Sequence, residues 1–138
     1  MRTGDAVFVD SGAWIALALT GDPLHPRAAE AWELVAQQRT RLYTSVPVVL
    51  ETFTFLARNS RQDIAIAWKD SLDRLDTLGV LACTAADMRR AWRYFERRDL
   101  HKLSAVDATS FVLMDKHGIS LAFSFDHHFA AVGYRLVG

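Results

Sequence analysis

Cysteine is nearly absent from this chain, and its scarcity limits where the protein works. Cys83 is the single cysteine, so no disulfide can form within the chain and a reducing compartment such as the cytoplasm is expected. Long hydrophobic runs are also lacking, since no stretch approaches the roughly 20 apolar residues of a membrane-spanning helix. The apolar run near the start is broken by Asp10, which is not the pattern of a secretory signal. We therefore expect a soluble, cytoplasmic protein that has no membrane partner.

An excess of either charge is also missing. Lys and Arg total 16, as do Asp and Glu, so the formal net charge is zero. A nucleic-acid-binding protein usually carries surplus basic charge, because contacts to phosphate dominate its affinity. The balance does not exclude such a protein: if several acids bind a metal ion, the remaining surface is net basic.

The chain has the length and composition of one globular domain. Its 138 residues are 51% hydrophobic and 23% charged, which is enough for a substantial core but too short for two ordinary domains. No internal repeat, low-complexity segment or linker divides the sequence. Residues 1–138 are therefore expected to form a single domain.

Short apolar strands alternate with helices along the sequence. Strands are predicted at residues 6–9, 42–44, 80–83, 121–125 and 134–137. Helices are predicted at residues 13–18, 27–38, 45–59, 62–78, 85–97 and 104–117. Gly79 is expected to end the fourth of these helices as a left-handed cap. This alternation predicts an α/β fold of three layers, α/β/α, around a mainly parallel twisted sheet of about five short strands.

Acidic residues occur where predicted strands end or helices begin. Asp10 and Asp126 each follow a strand and precede a helix, a position where a short acid is also a good N-cap. Asp107 lies three residues after Ser104, so the pair could form a capping box. Glu51 lies in a helix that is apolar nearly all round, where a partly buried carboxylate is costly without a cation or hydrogen-bond donors. Each acid therefore has a structural explanation, Glu51 the weakest, as a side chain that reaches solvent.

Together the four acids predict a metal site. Ligands of parallel sheets gather at the carboxyl ends of the strands, so these carboxylates are expected in one crevice. Clustered carboxylates repel one another unless a positive charge lies between them. Oxygen ligands with open water positions suit Mg²⁺ or Mn²⁺, which can activate water for phosphodiester cleavage.

The segments around these acids resemble the motifs of the PIN-domain family. Residues 9–17 (VDSGAWIAL) resemble its opening motif and residues 49–52 (VLET) its second motif. Residues 103–111 (LSAVDATSF) resemble the third motif, and residues 122–129 (AFSFDHHF) the fourth. The resemblance covers nearly the whole chain in the right order.

The resemblance implies a magnesium-dependent endoribonuclease. Asp10 and Asp107 would be the central metal ligands, Glu51 and Asp126 would complete the acidic site, and Ser11 would be a supporting polar contact. Many members of this size are VapC-like toxins, which an antitoxin neutralises and which are usually homodimers. A stand-alone RNA-processing nuclease and a catalytically silent RNA- or protein-binding module remain alternatives. Members often carry a further acid before the third motif, but Asp99, the nearest candidate here, is given no catalytic role.

A basic stripe on the fifth predicted helix is a candidate RNA contact. Arg89, Arg93 and Arg97 are spaced at i, i+4 and i+8, and Lys102 extends the stripe towards Asp107. A solvated helix face is the alternative. The opposite face, with residues 88, 92 and 95, is expected in the core.

Other chemistries fit the sequence less well. His127 and His128 adjoin Asp126 but lack the further ligands of a zinc site, so surface or substrate contact is expected. An aspartyl-phosphate phosphatase would place a second aspartate two residues after the first, where this chain has Gly12. A phosphoacceptor receiver domain would need paired acids at the first strand, and these are also absent.

Overall fold

The computed structural model describes residues 1–138 as five strands and seven α-helices with one 3₁₀ segment. The strands are β1 (Ala6–Val9), β2 (Arg41–Ser45), β3 (Leu78–Leu81), β4 (Leu121–Phe123) and β5 (Arg135–Val137). The helices are α1 (Ser11–Ala18), α2 (His25–Gln37), α3 (Val46–Asn59), α4 (Gln62–Leu72), α5 (Ala85–Ala91), α6 (Ala105–Lys116) and α7 (His127–Ala131). The 3₁₀ segment is Trp92–Glu96. None of the helices has both the length and the apolar character needed to cross a membrane.

All five strands are parallel and lie in the order β3-β2-β1-β4-β5. The chain runs outward from β1 to β3, then crosses to β4 on the other side of β1. Because such crossovers are right-handed, α1–α4 cover one face of the sheet and α5–α7 the other. The predicted three-layer α/β/α fold is confirmed. The direction in which successive strands are added to the sheet reverses between β1 and β4. Parallel sheets bind their ligands at such a switch point.

The core is densest around the central strand and α6. Val7, Phe8 and Val9 of β1 are fully buried, as expected for a strand covered on both faces. Every residue of α6 from Asp107 to Met114 is also buried. The elements that carry two of the acids are therefore held rigidly by packing.

A chain of hydrogen bonds fixes α1 to the ends of β1 and β2. Trp14 Nε1 donates to Thr44 Oγ1 at 3.2 Å, and Thr44 Oγ1 donates to the carbonyl of Val9 at 3.0 Å. Nearby, Ser45 caps α3 by accepting from the backbone N–H of Val48 at 3.3 Å. These contacts lie beside the residues that follow β1 and β2, so they hold the switch-point edge of the sheet in place.

The predicted end of the fourth helix is wrong. The helix stops at Leu72, and Gly79 lies inside β3 opposite Tyr43 of β2. A Cβ atom on Gly79 would lie 2.9 Å from the Tyr43 ring. Gly79 therefore makes room for an aromatic ring on the neighbouring strand and does not cap a helix.

The predicted core face of the fifth helix is also wrong. The α-helix ends at Ala91, and Met88, Trp92 and Phe95 are 42%, 48% and 46% exposed. The helix buries the neighbouring face instead, with Asp87 and Ala91 at 0% exposure. Asp87 is held there by a complete capping box and by an ion pair to the end of α6, so the buried side of this helix carries polar contacts that its apolar spacing does not predict.

Candidate active site

Four acidic side chains meet at the edge of the sheet where the strand order reverses. Asp10 follows β1 directly, and Asp126 lies just beyond β4. Asp107 lies in the first turn of α6, and Glu51 in the second turn of α3. Asp10 and Asp107 both have their pKa values raised by the charges of Glu51 and Asp126. The acids that the sequence singles out are therefore neighbours in the structure.

Asp10 is the most deeply buried of these acids. Its side chain occupies the N-cap position of α1 but accepts no capping hydrogen bond. Oδ2 accepts from the Ser124 hydroxyl at 3.0 Å, whereas Oδ1 is buried without a hydrogen-bond partner. Burial raises the pKa of Asp10 to about 6, although hydrogen bonds from the Ser11 backbone and Ser124 oppose the rise. An ionised Asp10 therefore needs a positive partner at Oδ1.

Two similar helix starts show that Asp107 is not a capping residue. In the first, Thr84 and Asp87 cap each other: Thr84 Oγ1 accepts from Asp87 N at 3.1 Å, and the Asp87 carboxylate accepts from Thr84 N at 2.9 Å. In the second, Ser104 accepts from Asp107 N at 3.0 Å, but the carboxylate of Asp107 makes no return bond. The capping box that the sequence allows is thus only half formed, and the Asp107 carboxylate is left for the acidic site.

The carboxyl groups of Asp107 and Asp126 have pKa values shifted in opposite directions. Burial raises the pKa of Asp107 to about 8, and the charge of Asp10 and a hydrogen bond with Asp126 add to the rise. Burial also acts to raise the pKa of Asp126, but hydrogen bonds from the His128 backbone and from Asp107 outweigh it, so that pKa is lowered. Of the two carboxyl groups, that of Asp107 is therefore the harder to ionise and that of Asp126 the easier.

Glu51 is half-buried beside this cluster. Its helix is less enclosed than its apolar sequence predicts, because Leu50 is 63% and Phe55 40% exposed. The cost of burial is therefore a weaker argument for Glu51 than the sequence indicated. The charge of Glu51 still raises the pKa of both Asp10 and Asp107, so Glu51 interacts with the other acids of the cluster.

Ser124 connects two of the acids, a contact that sequence reasoning missed. Its hydroxyl donates to Asp10 Oδ2 at 3.0 Å and accepts from the backbone N–H of Asp126 at 3.0 Å. A small hydroxyl residue two positions before Asp126 was the available signal. Ser11, which was expected to be a polar contact, is buried, and a hydrogen bond from its backbone N–H lowers the pKa of Asp10.

The two adjacent histidines have different environments. The His127 side chain is 82% exposed, which fits the expected surface position. His128 is only 5% exposed, so the expectation of a surface contact is wrong for this residue. Ligand atoms of Asp126, His127 and His128 lie within 4.8 Å of one another. His128 Nε2 is, however, 2.7 Å from the His101 carbonyl oxygen, so one ring nitrogen is already engaged.

The acidic cluster has the chemistry of a divalent-cation site. The observation that tests the fit is the buried, unpartnered Oδ1 of Asp10, since native proteins rarely leave such an atom without a partner. The pKa values of Asp10 and Asp107 are raised chiefly by burial and further by the charges of neighbouring acids, and a cation between the carboxylates would oppose both effects. Oxygen ligands of this kind suit hard divalent cations. The residues present therefore fit a divalent metal ion.

The basic residues do not form the regular stripe that their spacing predicts. Arg89 and Arg93 are exposed on α5 and the 3₁₀ segment. Arg97 lies beyond both in extended backbone and forms a two-pronged ion pair with Asp99 at 2.7 and 3.0 Å. Lys102 is exposed in the loop before α6, with a φ of 58°. The helix ends too early to align Arg97 with the other arginines.

An apolar groove lies away from the acids, between α1, α2 and α4. Its volume is about 590 Å³, and Trp14, Trp32 and Trp68 contribute to its walls. The ring of Trp14 packs 5.8 Å from that of Trp32 and 6.0 Å from that of Trp68, measured between centroids. Trp14 and Trp68 are almost fully buried, whereas Trp32 is half-buried. The tryptophans thus belong partly to the core and partly to a concave surface.

The chain is similar to a protein-family model and to a known protein along most of its length. The family model described as the PIN domain matches residues 7–134. The 23S rRNA-specific endonuclease VapC20 of Mycobacterium tuberculosis H37Rv is 37% identical over 129 residues, which cover 93% of this chain and 95% of that protein. Both matches extend along nearly the full length of the chain.

Solved structures share the fold. The crystal structure of Mycobacterium tuberculosis VapC20, described as a sarcin-ricin loop cleaving toxin, matches with a TM-score of 0.82 at 35% identity, over 93% of this chain and 95% of that one. VapBC2 from Rickettsia felis, bound to a promoter DNA fragment, matches with a TM-score of 0.70 at 11% identity, over 95% and 96% of the chains. The second likeness is one of fold alone.

Proposed function

The chain belongs to the PIN-domain family, and from this premise we propose that it is a magnesium-dependent endoribonuclease, the toxin of a toxin–antitoxin pair. The observation that carries the proposal is that the Asp107 carboxylate makes no capping bond to Ser104 and lies beside the buried Asp10. In the proposed site, Asp10 and Asp107 bind the ion, and Glu51 and Asp126 complete its acidic surroundings. Mn²⁺ can replace Mg²⁺, because both prefer oxygen ligands and retain bound water.

The proposed reaction is hydrolysis of an RNA phosphodiester bond. When bound, the ion supplies a water of lowered pKa and positive charge for the phosphate oxygens. That positive charge favours the ionised forms of Asp10 and Asp107, whose pKa values are raised chiefly by burial. Ser124 holds Asp10 and the Asp126 backbone in a fixed relation, which keeps the acidic side chains oriented before substrate binds.

Relatedness supports ribosomal RNA as the substrate. VapC20, named as a 23S rRNA-specific endonuclease, is 37% identical over 95% of its length. We propose that this chain likewise cleaves 23S rRNA. Arg89, Arg93 and Lys102, all exposed, are the proposed contacts to the RNA backbone. Arg97 contributes less, because Asp99 already neutralises its guanidinium.

An antitoxin and a second copy of the chain are the proposed protein partners. The tryptophan-lined groove of about 590 Å³ supports an apolar antitoxin segment as its occupant. Exposed apolar side chains outside that groove, including Leu50 at 63% and Trp92 at 48% exposure, support a homodimer. A catalytically silent binding module is less well supported, because the four acids are all present and adjacent.

Expression in a bacterial host tests the proposed function. We expect the wild-type chain to arrest growth and to produce a defined cut in 23S rRNA, mapped by primer extension. Asp10→Asn at equal expression should do neither, because it removes a proposed metal ligand without altering side-chain size. Growth arrest with intact 23S rRNA would contradict the proposed substrate. Growth that continues at full expression of the folded wild-type chain would contradict the toxin assignment.

A further inference from the structure

We propose that the cleft between α5, the 3₁₀ segment and α6 is a second contact site for the phosphate backbone of the RNA substrate, separate from the metal site. The inference rests on the proposed function, because it concerns how the same substrate is bound. It adds Arg90 and Lys116, which the sequence spacing did not single out, to the proposed RNA contacts. It also gives Arg93 a defined position among them.

The walls of this cleft are mainly basic. Its volume is about 400 Å³, and three of its lining residues are cations: Arg90, Arg93 and Lys116. The other lining residues are Tyr94, Val112 and Asp115. Lysine and arginine side chains supply most of the affinity of proteins for nucleic-acid phosphates. A concave surface with three of them suits a phosphate group.

The buried carboxylate of Asp87 brings two of these cations together. Lys116 Nζ donates to both Asp87 carboxylate oxygens at 3.3 Å, and Arg90 Nη1 lies 3.6 Å from Asp87 Oδ1. The Asp87 side chain is 0% exposed, whereas those of Arg90 and Lys116 are 58% and 44% exposed. The capping box with Thr84 fixes the carboxylate. The two cations are therefore positioned before a ligand arrives, which reduces the entropy lost on binding.

Neutralisation of Asp87 does not account for all of the positive charge. One carboxylate faces two cations, and the third, Arg93, forms no ion pair. Asp115 is the single acid in the walls of the cleft, and it accepts a hydrogen bond from the Tyr134 hydroxyl. Three cations against two carboxylates leave one positive charge in excess. The exposed faces of the cations are therefore free to hold an anion.

The cleft and the metal site lie at opposite ends of α6. Asp107 is in the first turn of this helix and Lys116 is its last residue, a separation of about 14 Å along the helix axis. A stacked nucleic-acid strand carries one phosphate per about 3.4 Å, so an RNA that reaches both sites spans at least about four nucleotides. The cleft therefore fits an extended or folded RNA rather than a dinucleotide.

Substitutions of opposite charge should change RNA affinity in opposite directions. Arg90→Gln and Lys116→Gln each remove a positive charge, and Arg93→Gln does so without touching Asp87. Asp115→Asn removes a negative charge from the cleft, while its amide oxygen can still accept from Tyr134. Damage to the fold can only weaken binding, so tighter binding by Asp115→Asn is a result that misfolding does not produce.

The measurement is binding of a labelled hairpin of 23S rRNA, followed by fluorescence polarisation in EDTA over a series of NaCl concentrations. We expect each of the three cation variants to reduce the slope of log Kd against log salt concentration by about one. We expect Asp115→Asn to bind the hairpin more tightly than the wild type at low salt.

Two controls change the same charges on the other face of the sheet. Arg58→Gln removes an exposed cation of α3, and Asp63→Asn removes an exposed acid of α4. Both should match the wild type in slope and in Kd. A control that changes as much as the cleft variants would show that net charge alone decides the affinity, and would overturn the site.

A lower Tm with an unchanged salt slope in Arg90→Gln and Lys116→Gln would show that these cations serve only Asp87. That result, or an unchanged Kd in Asp115→Asn, would overturn the second site. A chain that cleaves 23S rRNA while the slopes stay unchanged overturns the cleft alone. A chain that binds the hairpin through the cleft but cleaves no RNA overturns the nuclease alone, and one that binds no RNA overturns both.

Discussion

Asp87 and Asp107 occupy the same position in two similar helix starts, yet their side chains have opposite environments. Asp87 completes its capping box and lies beside Lys116 at 3.3 Å, and its pKa is lowered chiefly by the Thr84 backbone N–H. The Asp107 carboxylate makes no capping bond, and its pKa is raised chiefly by burial. The sequences Thr84-x-x-Asp87 and Ser104-x-x-Asp107 are almost the same. Tertiary surroundings therefore decide which acid is structural and which belongs to the site.

The stability of the metal-free protein should fall as pH rises from about 4 to 8, because the pKa values of two buried acids are raised in the folded state, that of Asp10 to about 6 and that of Asp107 to about 8. Burial raises the pKa of Asp10 from 3.8 to about 6 in the folded state. The protonated carboxyl group therefore contributes to stability below pH 3.8, and this contribution is lost as the pH rises to about 6 and above. For Asp10 the loss is about 3 kcal/mol at most. The measurement is urea unfolding in EDTA at pH 5 and pH 8.

Asp10→Asn is the matched variant for this measurement. Because the amide carries no charge at either pH, the variant should lose less stability than the wild type between pH 5 and pH 8. Addition of Mg²⁺ at pH 8 should restore stability to the wild type, since a ligand that binds only the folded state stabilises it. Equal pH dependence in the two proteins would show that Asp10 is not destabilised by burial.

At the scale of elements, Gly79 fixes how closely β3 and β2 approach. A Cβ atom at position 79 would lie 2.9 Å from the Tyr43 ring, so the ring would have to move. We expect Gly79→Ala to lower the free energy of unfolding by about 1–3 kcal/mol, the usual cost of overpacking. Urea denaturation measures the change.

Gly21 provides the control for that substitution. A Cβ atom there would meet nothing within 4 Å, so Gly21→Ala should leave stability unchanged or slightly increased. A loss as large in Gly21→Ala as in Gly79→Ala would mean that backbone freedom, rather than the Tyr43 ring, explains the cost.

The elements also show where sequence patterns lose their meaning. The strand at residues 6–9 and the helix starts at Ser45 and Ser104 follow directly from local chemistry, and the structure has them where predicted. The helix beginning at Ala85 is different, because its apolar spacing predicts Trp92 in the core, where the structure buries Asp87. The spacing of apolar residues does not reveal ion pairs and capping bonds, so the buried face of this helix could not be identified from the sequence.

At the scale of the whole molecule, the order of the strands brings distant acids together. Asp10 and Asp126 are far apart in sequence but follow β1 and β4, which pair in parallel at the switch point. The alternation of strands and helices predicts that acids after parallel strands share one edge of the sheet, but the pairing of β1 with β4 is known only from the structure. The unpartnered Oδ1 of Asp10, the buried His128 and the pairing of Arg97 with Asp99 depend on side-chain geometry. No spacing rule could have supplied them.

We propose above that Asp10, Glu51, Asp107 and Asp126 form a divalent-metal site for RNA cleavage. The most direct measurement is cleavage of 23S rRNA by the purified chain with Mg²⁺ and with EDTA, compared with Asp107→Asn. Asp63→Asn is the control, because Asp63 is an exposed acid paired with Arg61 on α4.

We expect cleavage by the wild type and by Asp63→Asn in Mg²⁺, and none in EDTA. Asp107→Asn should lose more than the ~100-fold typical of removing an outer partner of a metal site, with its fold intact by circular dichroism. Cleavage that persists in EDTA, or a folded Asp107→Asn that cleaves as fast as the wild type, would show that the four acids are not the metal site for the reaction.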